Sequence, residues 1–218
     1  MLVVILVILT FIVGGTIDYF IQRKKKNAMT AQVEVNNLSL PKIMNMLPAG
    51  VFIQPSLTWS KIQDNGNLML GVHPMLAGLI GGSDTIETRH KGDHVKKGET
   101  LITLQNGAKE LHVKSPVSGD IASINADLNA SSWEKFSTSW VCNINPENIS
   151  ADISNWFIGE KAGEWVNEKF QQIKNFFMQS LPRKQMGMTM ADGGEAPIGV
   201  LQEFDKETWQ AFEARFCN

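Results

Sequence analysis

The amino-acid sequence predicts a mainly β domain with flanking helices, a small β-barrel or sandwich, behind one N-terminal transmembrane helix. Three observations lead to this fold class. Short β-type runs separated by glycine turns fill the middle of the chain, an amphipathic helical stripe follows them, and an apolar run opens the chain. We expect four segments: a transmembrane anchor (1–22), a tether (23–47), a globular domain (48–181) and a C-terminal tail with a short helix (182–218).

The anchor is predicted from residues 2–21, which are apolar apart from two threonines, Asp18 and a few glycines. About 20 helical residues cover a bilayer core. A cleaved signal carries positive charge before its apolar run, whereas here the basic residues 23–26 follow it, which favours a retained anchor. The positive-inside rule then places the N-terminus outside and the domain in the cytoplasm, at the inner (cytoplasmic) membrane. Asp18 is expected at the lipid interface or against a partner's helix.

Polar residues of the tether give way to short β segments after Pro48. We expect the first strands within 51–54, 57–62 and 68–72, and a short helix over 73–82 with Pro74 in its first turn. Residues 85–128 then predict strands separated by turns at 91–93, 97–98, 106–107 and 118–119. A further strand is expected within 137–144.

The C-terminal third is predicted to be helical. Residues 151–181 place apolar side chains on one face at helical spacing, which is typical of core packing, and Pro182 ends the pattern. An irregular linker (183–199) leads to a last helix over 203–216 with Asp205 as its N-cap. Trp209, Phe212 and Phe216 share one face of that helix, so they either anchor a partner interface or dock the tail onto its own domain.

Composition excludes several function classes. A net charge of −2 gives no electrostatic case for nucleic acid. Cys142 and Cys217 have no metal-ligand spacing and are expected to be free thiols. His90 and His94 are best interpreted as loop histidines, because no further Cys or His completes a metal site. No phosphate loop or catalytic triad pattern is present, so we expect no enzyme activity and no metal.

Four stretches, taken in order, resemble the glycine-cleavage H-protein family of lipoyl carriers: LTWSKIQDNGNLMLGVHPMLAGLIG (57–81), KGDHVKKGETLITL (91–104), SPVSGDIASINADLNAS (115–131) and SWVCNINPENIS (139–150). The resemblance covers about residues 48–178. It implies a lipoyl-domain-like barrel-sandwich hybrid in which one tight hairpin presents a lysine that is amide-linked to lipoic acid. That arm visits the active sites of partner enzymes.

The carrier lysine of the family is displaced here. Counting ten residues on from Gly98, or eight back from Pro116, gives Ala108 both times, and the available Lys109 is one residue late. A shift of one residue turns a strand side chain to the other face. Asn106-Gly107 is a two-residue turn signal, which would leave Lys109 on a strand. The family's His-Thr-Trp motif also has Leu57 in place of its histidine. We therefore expect no lipoate on this chain.

These observations predict a non-catalytic, membrane-anchored accessory or structural subunit of a larger membrane complex, of the energy-converting or redox kind. Its partners would be membrane protein subunits and the lipid bilayer. Two alternatives stay open: a membrane-tethered lipoyl carrier modified at Lys109, and an adaptor of the membrane-fusion type. The last normally splits its barrel with a long helical hairpin, and no such insertion interrupts this chain.

Overall fold

Two antiparallel sheets form the centre of the fold in the computed structural model, which describes residues 37–128, 133–180 and 195–218. Leu38–Asn218 is one compact unit. The larger sheet has the order β2-β3-β4-β10-β9-β6, with β2 (Phe52–Gln54), β3 (Thr58–Ile62), β4 (Leu68–Val72), β10 (Trp140–Pro146), β9 (Gly119–Ile124) and β6 (His94–Val95). The smaller sheet has the order β5-β7-β8, with β5 (Thr85–Thr88), β7 (Thr100–Asn106) and β8 (Lys109–Lys114). Two further strands, β1 (Asn37–Leu38) and β11 (Ala196–Pro197), form a two-stranded sheet.

The strands form because apolar and polar residues alternate along them. In β8, Leu111 and Val113 are fully buried while Glu110, on the opposite face, is exposed. Period-two alternation of this kind directs one face of a sheet to the core and the other to solvent. The strands predicted within 51–54, 57–62, 68–72 and 85–128 are confirmed.

The predicted helix near 73–82 is confirmed as α2 (Pro74–Ile80). The side chain of His73 caps it, because its Nδ1 atom accepts a hydrogen bond from the Met75 N–H at 3.1 Å. The helix ends at Gly81, whose φ of 74° is left-handed. His73 is fully buried, and this burial lowers its pKa to about 3, so the ring is neutral at pH 7.

The compact unit begins earlier than the predicted boundary at residue 48. Helix α1 (Leu40–Met46) lies within the stretch that the sequence assigned to a tether, and Leu38 and Ile43 are fully buried. Apolar side chains spaced five apart are enough to attach this segment to the core, although the stretch is polar on average. Residues 38–47 of the predicted tether therefore belong to the compact unit.

The helical stretch predicted over 151–181 is broken into pieces. Two short helical segments, α4 (Ile149–Asp152) and a 3-10 helix (Ile153–Asn155), precede the long helix α5 (Glu160–Ser180). Between them Phe157 is extended: its N–H and C=O bond to the C=O and N–H of Ile53 at 2.9 and 2.8 Å. Gly159, at φ 61°, then turns the chain into α5. Phe157 is thus a sheet-edge residue and not a member of the helical stripe.

A second difference concerns the strand predicted within 137–144. Its first residues belong to helix α3 (Trp133–Thr138), and the strand β10 starts only at Trp140. The C-terminal prediction is closer: a 3-10 helix (Val200–Glu203) leads to α6 (Lys206–Phe216). Asp205 is the predicted N-cap, and its Oδ1 atom accepts a hydrogen bond from the Thr208 N–H at 2.8 Å.

The predicted anchor (1–22), including Asp18, lies outside the residues that the structure describes. Across 37–128, 133–180 and 195–218, no helix is long and apolar enough to cross a membrane. Cys142 and Cys217 are both buried and unpaired, and burial raises the pKa of each thiol, to about 12 for Cys142.

Candidate functional site

The β7–β8 hairpin is closed by a two-residue loop, Gly107-Ala108. Asn106 pairs with Lys109 across the loop. Gly107 has φ 57°, whereas Ala108 stays at negative φ, and these signs are those of a type II′ turn with glycine in its first central position. The Gly107 N–H donates to Asp84 Oδ2 at 2.8 Å, which fixes the loop to the start of β5. Asn106 is thus the last strand residue and not, as predicted, the first turn residue.

Lys109 is the first residue of β8, so it lies on a strand, as the displaced register predicted. Side chains two apart on a strand share a face, so Lys109 lies on the face of Leu111 and Val113, both of which are fully buried. Its side chain is partly buried. The loop itself carries no lysine, because its two residues are Gly107 and Ala108.

The amine of Lys109 is held by the C-terminal segment. Its Nζ atom donates a hydrogen bond to the carbonyl oxygen of Gln202 at 2.6 Å. The same atom lies 5.8 Å from the centroid of the Trp209 ring, within the range of a cation–π contact. The lysine that comes nearest to the carrier position is therefore engaged within its own chain.

The segment that binds Lys109 is itself tightly docked on the end of α2. The Gln202 Nε2 atom donates to the carbonyl of Ile80 at 2.6 Å, and the Gly199 N–H donates to the carbonyl of Gly78 at 2.8 Å. A Cβ atom built on Gly81 would lie 2.5 Å from the Cα atom of Gly199. Only glycine permits this approach of the two backbones. Gln202 therefore presents its carbonyl to Lys109 from a fixed position.

Helix α6 buries its aromatic face within the compact unit. Trp209, Phe212 and Phe216 are 1%, 0% and 2% exposed, and Trp209 Nε1 donates to the carbonyl of Leu201 at 2.6 Å. Phe212 stacks on Phe177 of α5 with ring centroids 5.7 Å apart. An interface anchor needs a side chain at the surface, and the structure instead uses all three inside the compact unit. This placement matches the docking alternative and not the partner-interface alternative for these residues.

The same helix occupies the open edge of the smaller sheet. The Glu213 carboxylate accepts a hydrogen bond from the backbone N–H of His112 at 2.9 Å, and its Oε2 atom lies 3.0 Å from His112 Nδ1. An edge strand otherwise offers unpaired backbone groups to other chains. At the helix N-terminus, hydrogen bonds from Thr208 lower the pKa of Asp205, and Lys109 contributes by its positive charge.

The comparisons with known proteins identify the family of the domain. The family model described as glycine cleavage H-protein matches residues 52–169. The chain belongs to the glycine cleavage H-protein family. It is 25% identical to a probable glycine cleavage system H protein of Pyrococcus abyssi, over 54% of this chain and 90% of that protein. It is 28% identical to glycine cleavage system H protein 3 of Aquifex aeolicus, over 52% of this chain and 75% of that protein.

A solved structure of this family, a glycine cleavage system H protein from Mycobacterium marinum, aligns with a TM-score of 0.44 at 15% identity. The alignment covers 56% of this chain and 98% of that one. H-proteins are lipoyl carriers that have no catalytic activity of their own. The matched region ends at residue 169, so the segment that holds Lys109 lies beyond it.

The remaining site predictions have separate outcomes. His94 is exposed and its Nδ1 atom lies 2.9 Å from Asp120 Oδ1. In the adjoining turn the backbone N–H of His90 donates a hydrogen bond to Asp93 Oδ2 at 2.8 Å. Within the described residues, no group of three or more His, Cys, Asp or Glu side chains could hold a metal ion.

Two residues of the site could not be found from the sequence. Gln202 binds Lys109 from 93 positions away, and Glu213 caps His112 from 101 positions away. Both contacts use groups that carry no motif: a backbone carbonyl in one case and a carboxylate on an ordinary helix in the other. The only signal was the helical spacing of Trp209, Phe212 and Phe216, which predicted that α6 has one buried face.

Proposed function

We propose that this chain is a non-catalytic, membrane-anchored accessory subunit of a larger membrane complex of the energy-converting or redox kind, built on an H-protein domain that carries no lipoyl arm. Its role is binding. The domain holds a position within the assembly at the cytoplasmic face of the inner membrane, and the lysine nearest to the carrier position serves as a structural residue.

The observation that carries this proposal is the position of Lys109. A lipoyl arm needs a lysine amine that projects freely from the hairpin loop. Here the loop is Gly107-Ala108, and Lys109 lies on the face of the strand that bears Leu111. Its amine is already bonded to Gln202 and covered by Trp209. The residues present do not fit an attached lipoyl group.

The membrane part of the proposal is supported by the sequence. An apolar stretch long enough to span a bilayer is followed by the basic residues 23–26, which the positive-inside rule places in the cytoplasm. A domain that has no chemistry of its own but is fixed at a membrane is suited to hold other subunits in place. Purification in mild detergent tests this part: we expect co-purifying subunits, and a stable monomer would contradict the accessory role.

The missing arm is tested by restoring the register. We expect lipoate ligase, supplied with ATP and lipoate, to leave the wild-type chain unmodified and to modify Ala108→Lys at position 108. Ala108 is exposed and at negative φ, so the backbone accepts the new side chain. Mass spectrometry of the peptide that contains the hairpin measures the adduct. Ala108→Arg is the matched control, because arginine has a similar length and charge but forms no lipoyl amide.

Three outcomes are distinguishable. Modification of Ala108→Lys alone supports the register argument. A lipoyl mass on Lys109 of the wild-type chain, whether from the ligase reaction or from native membranes, would establish the alternative of a membrane-tethered carrier. If neither chain is modified, the displaced register is not the reason why the hairpin lacks an arm, and the ligase must reject another feature of this domain.

A further inference from the structure

A cleft of about 680 Å³ opens at the end of the smaller sheet opposite the Gly107-Ala108 loop. Its lining comes from the turn after β2 (54–56), the segments before β7 and at the end of β8 (97–98 and 114–116), the link into α5 with its first turn (154–157 and 161), and Asn218. The volume is within the range of ligand sites. The cleft and Lys109 lie at opposite ends of the β7–β8 hairpin. The proposed function described above does not use the cleft.

Three lysine side chains line the cleft, and no Asp or Glu side chain does. Lys97 pairs with Asp152 at 2.7 Å, and its side chain remains 50% exposed. Lys114 donates to the neutral hydroxyl of Thr100 at 3.1 Å, so its charge has no opposite partner there. Lys161 is exposed and makes no hydrogen bond or ion pair with the described part of the chain. Lys114 and Lys161 therefore line the cleft without an ion-pairing side chain among the described residues.

The centre of the cleft is apolar and aromatic. Trp156 is 9% exposed and packs edge-on against Phe52, with ring centroids 5.8 Å apart. Phe157 stacks on Trp165 at 5.2 Å, and its backbone is bonded to β2. These contacts hold both rings in place before any ligand binds. An apolar centre with a charged rim is the arrangement of a protein–protein contact.

The polar wall of the cleft is fixed by a buried hydrogen-bond network. Gln54 is fully buried, and its Oε1 atom accepts a hydrogen bond from Thr58 Oγ1 at 3.0 Å. Ser56, 6% exposed, lies 3.0 Å from the same hydroxyl. Leu57, which lies between Ser56 and Thr58, adopts φ 56°, a conformation that a leucine rarely takes. The sequence singled out Leu57 because it replaces a family histidine, and its backbone shapes this wall.

We propose that this cleft binds an acidic peptide segment of a partner subunit, in which a bulky apolar side chain is flanked by Asp or Glu. The apolar side chain fills the space beside Trp156, and the carboxylates meet Lys114 and Lys161. A peptide fits better than a free small molecule, because Lys97 and Lys161 lie exposed at the rim and leave the charged end of the occupant in solvent. This inference rests on the binding role proposed above and gives that role a surface.

The test is an unbiased selection on the full chain in detergent. A library of random peptides displayed on phage is selected against the wild-type chain and, in parallel, against the double variant Lys114→Gln/Lys161→Gln. We expect the wild-type chain alone to enrich peptides that carry Asp or Glu beside Phe, Trp or Leu. The consensus peptide, labelled with fluorescein, is then measured by anisotropy, where each single lysine variant should raise Kd about fivefold, the effect of one partly exposed ion pair.

Lys91→Gln is the matched control, because it removes the same charge from an exposed turn outside the cleft. Lys161→Gln alone keeps the test valid if the double variant folds poorly, since Lys161 supports no described contact. Equal enrichment on wild type and variant, no excess of acidic residues, or an equal effect of Lys91→Gln would each overturn the proposal. If phenylacetate displaces the consensus peptide and binds as tightly, the cleft is a small-molecule site and the peptide assignment fails.

The two proposals fail in different experiments. The selection uses this chain alone, so its result does not depend on the anchor or on an intact complex. A monomer in detergent together with a cleft-dependent acidic consensus would reject the accessory role in a stable assembly and retain the docking site. Co-purifying subunits together with a selection that yields no cleft-dependent peptide would retain the accessory role and reject the docking site.

Discussion

The packing of helix α6 leads to the sharpest prediction, which concerns Phe212→Ala. Phe212 is fully buried, and its ring lies 5.7 Å from that of Phe177, 6.0 Å from that of Phe176 and 5.1 Å from that of Phe216. Truncation of a buried phenylalanine to alanine costs about 3–5 kcal/mol, from lost transfer free energy and from the cavity that remains. Because Phe212 lies in a cluster of four buried rings, stacked on Phe177 and in edge-on or tilted contact with Phe176 and Phe216, we expect a loss in the upper half of that range.

The assays are urea unfolding and thermal unfolding of the full chain, both followed by tryptophan fluorescence. A loss of about 4 kcal/mol would lower the midpoint of thermal unfolding by roughly 8–16 °C for a domain of this size. Met178→Ala on α5 is the matched control. The Met178 side chain is 46% exposed, so its truncation should change the free energy of unfolding by less than about 0.5 kcal/mol.

A small effect would refute the reasoning. If Phe212→Ala costs no more than about 0.5 kcal/mol, the size of a surface effect, then α6 does not form part of the core in solution. The aromatic face of that helix would then be free, and the interpretation of Trp209, Phe212 and Phe216 as partner anchors would return. Lys109 would also lose its cover, so the argument against a lipoyl arm would weaken together with the argument for docking.

Two further predictions concern groups that the fold buries or caps. His73 becomes protonated below pH 6.5 in the unfolded chain but stays neutral down to about pH 3 in the folded chain. Between these pH values the free energy of unfolding should therefore fall by about 1.4 kcal/mol for each unit by which the pH is lowered. His73→Asn replaces the ring nitrogen with an amide oxygen that can accept the same bond from the Met75 N–H, and it should show a shallower slope in urea titrations between pH 6.5 and 4.5. Equal slopes would contradict the assignment. Glu213→Ala leaves the backbone N–H of His112 without its carboxylate, at a cost of about 1–3 kcal/mol, and should speed amide hydrogen exchange at that residue. Glu207→Ala, on the exposed side of the same helix, should leave that exchange rate unchanged.

Local sequence patterns predicted the strands and the ends of two helices, because side-chain alternation, turn residues and helix caps depend on residues that are close together in the sequence. Pro74 and Gly81 bound α2, and Asp205 caps α6 through a contact only three residues long. The break before α5 was missed for the opposite reason. Phe157 fits a helical stripe by spacing, but its pairing with Ile53, more than a hundred residues away, wins over that local preference.

The hairpin shows how core packing decides between two locally acceptable turns. A loop at Asn106-Gly107 would set Leu104 opposite Lys109, which places a charge against the core. The observed loop pairs Leu104 with Leu111 and Ile102 with Val113, and all four side chains are fully buried. The sequence predicted that Lys109 lies on a strand. It could not predict the partner of the amine, because Gln202 offers a backbone carbonyl, which every residue has.

The cover that α6 places over β8 has a consequence for synthesis. Strands β7 and β8 are synthesised long before residues 195–216. Until α6 is made, the strand edge at His112 lacks Glu213, and the rings of Phe176 and Phe177 lack Phe212. Nascent domains with an open strand edge and uncovered aromatic surface are prone to mispairing with neighbouring chains. We therefore expect a chain truncated after residue 180 to be protease-sensitive and bound by chaperones, and resistance to proteolysis to require the final helix.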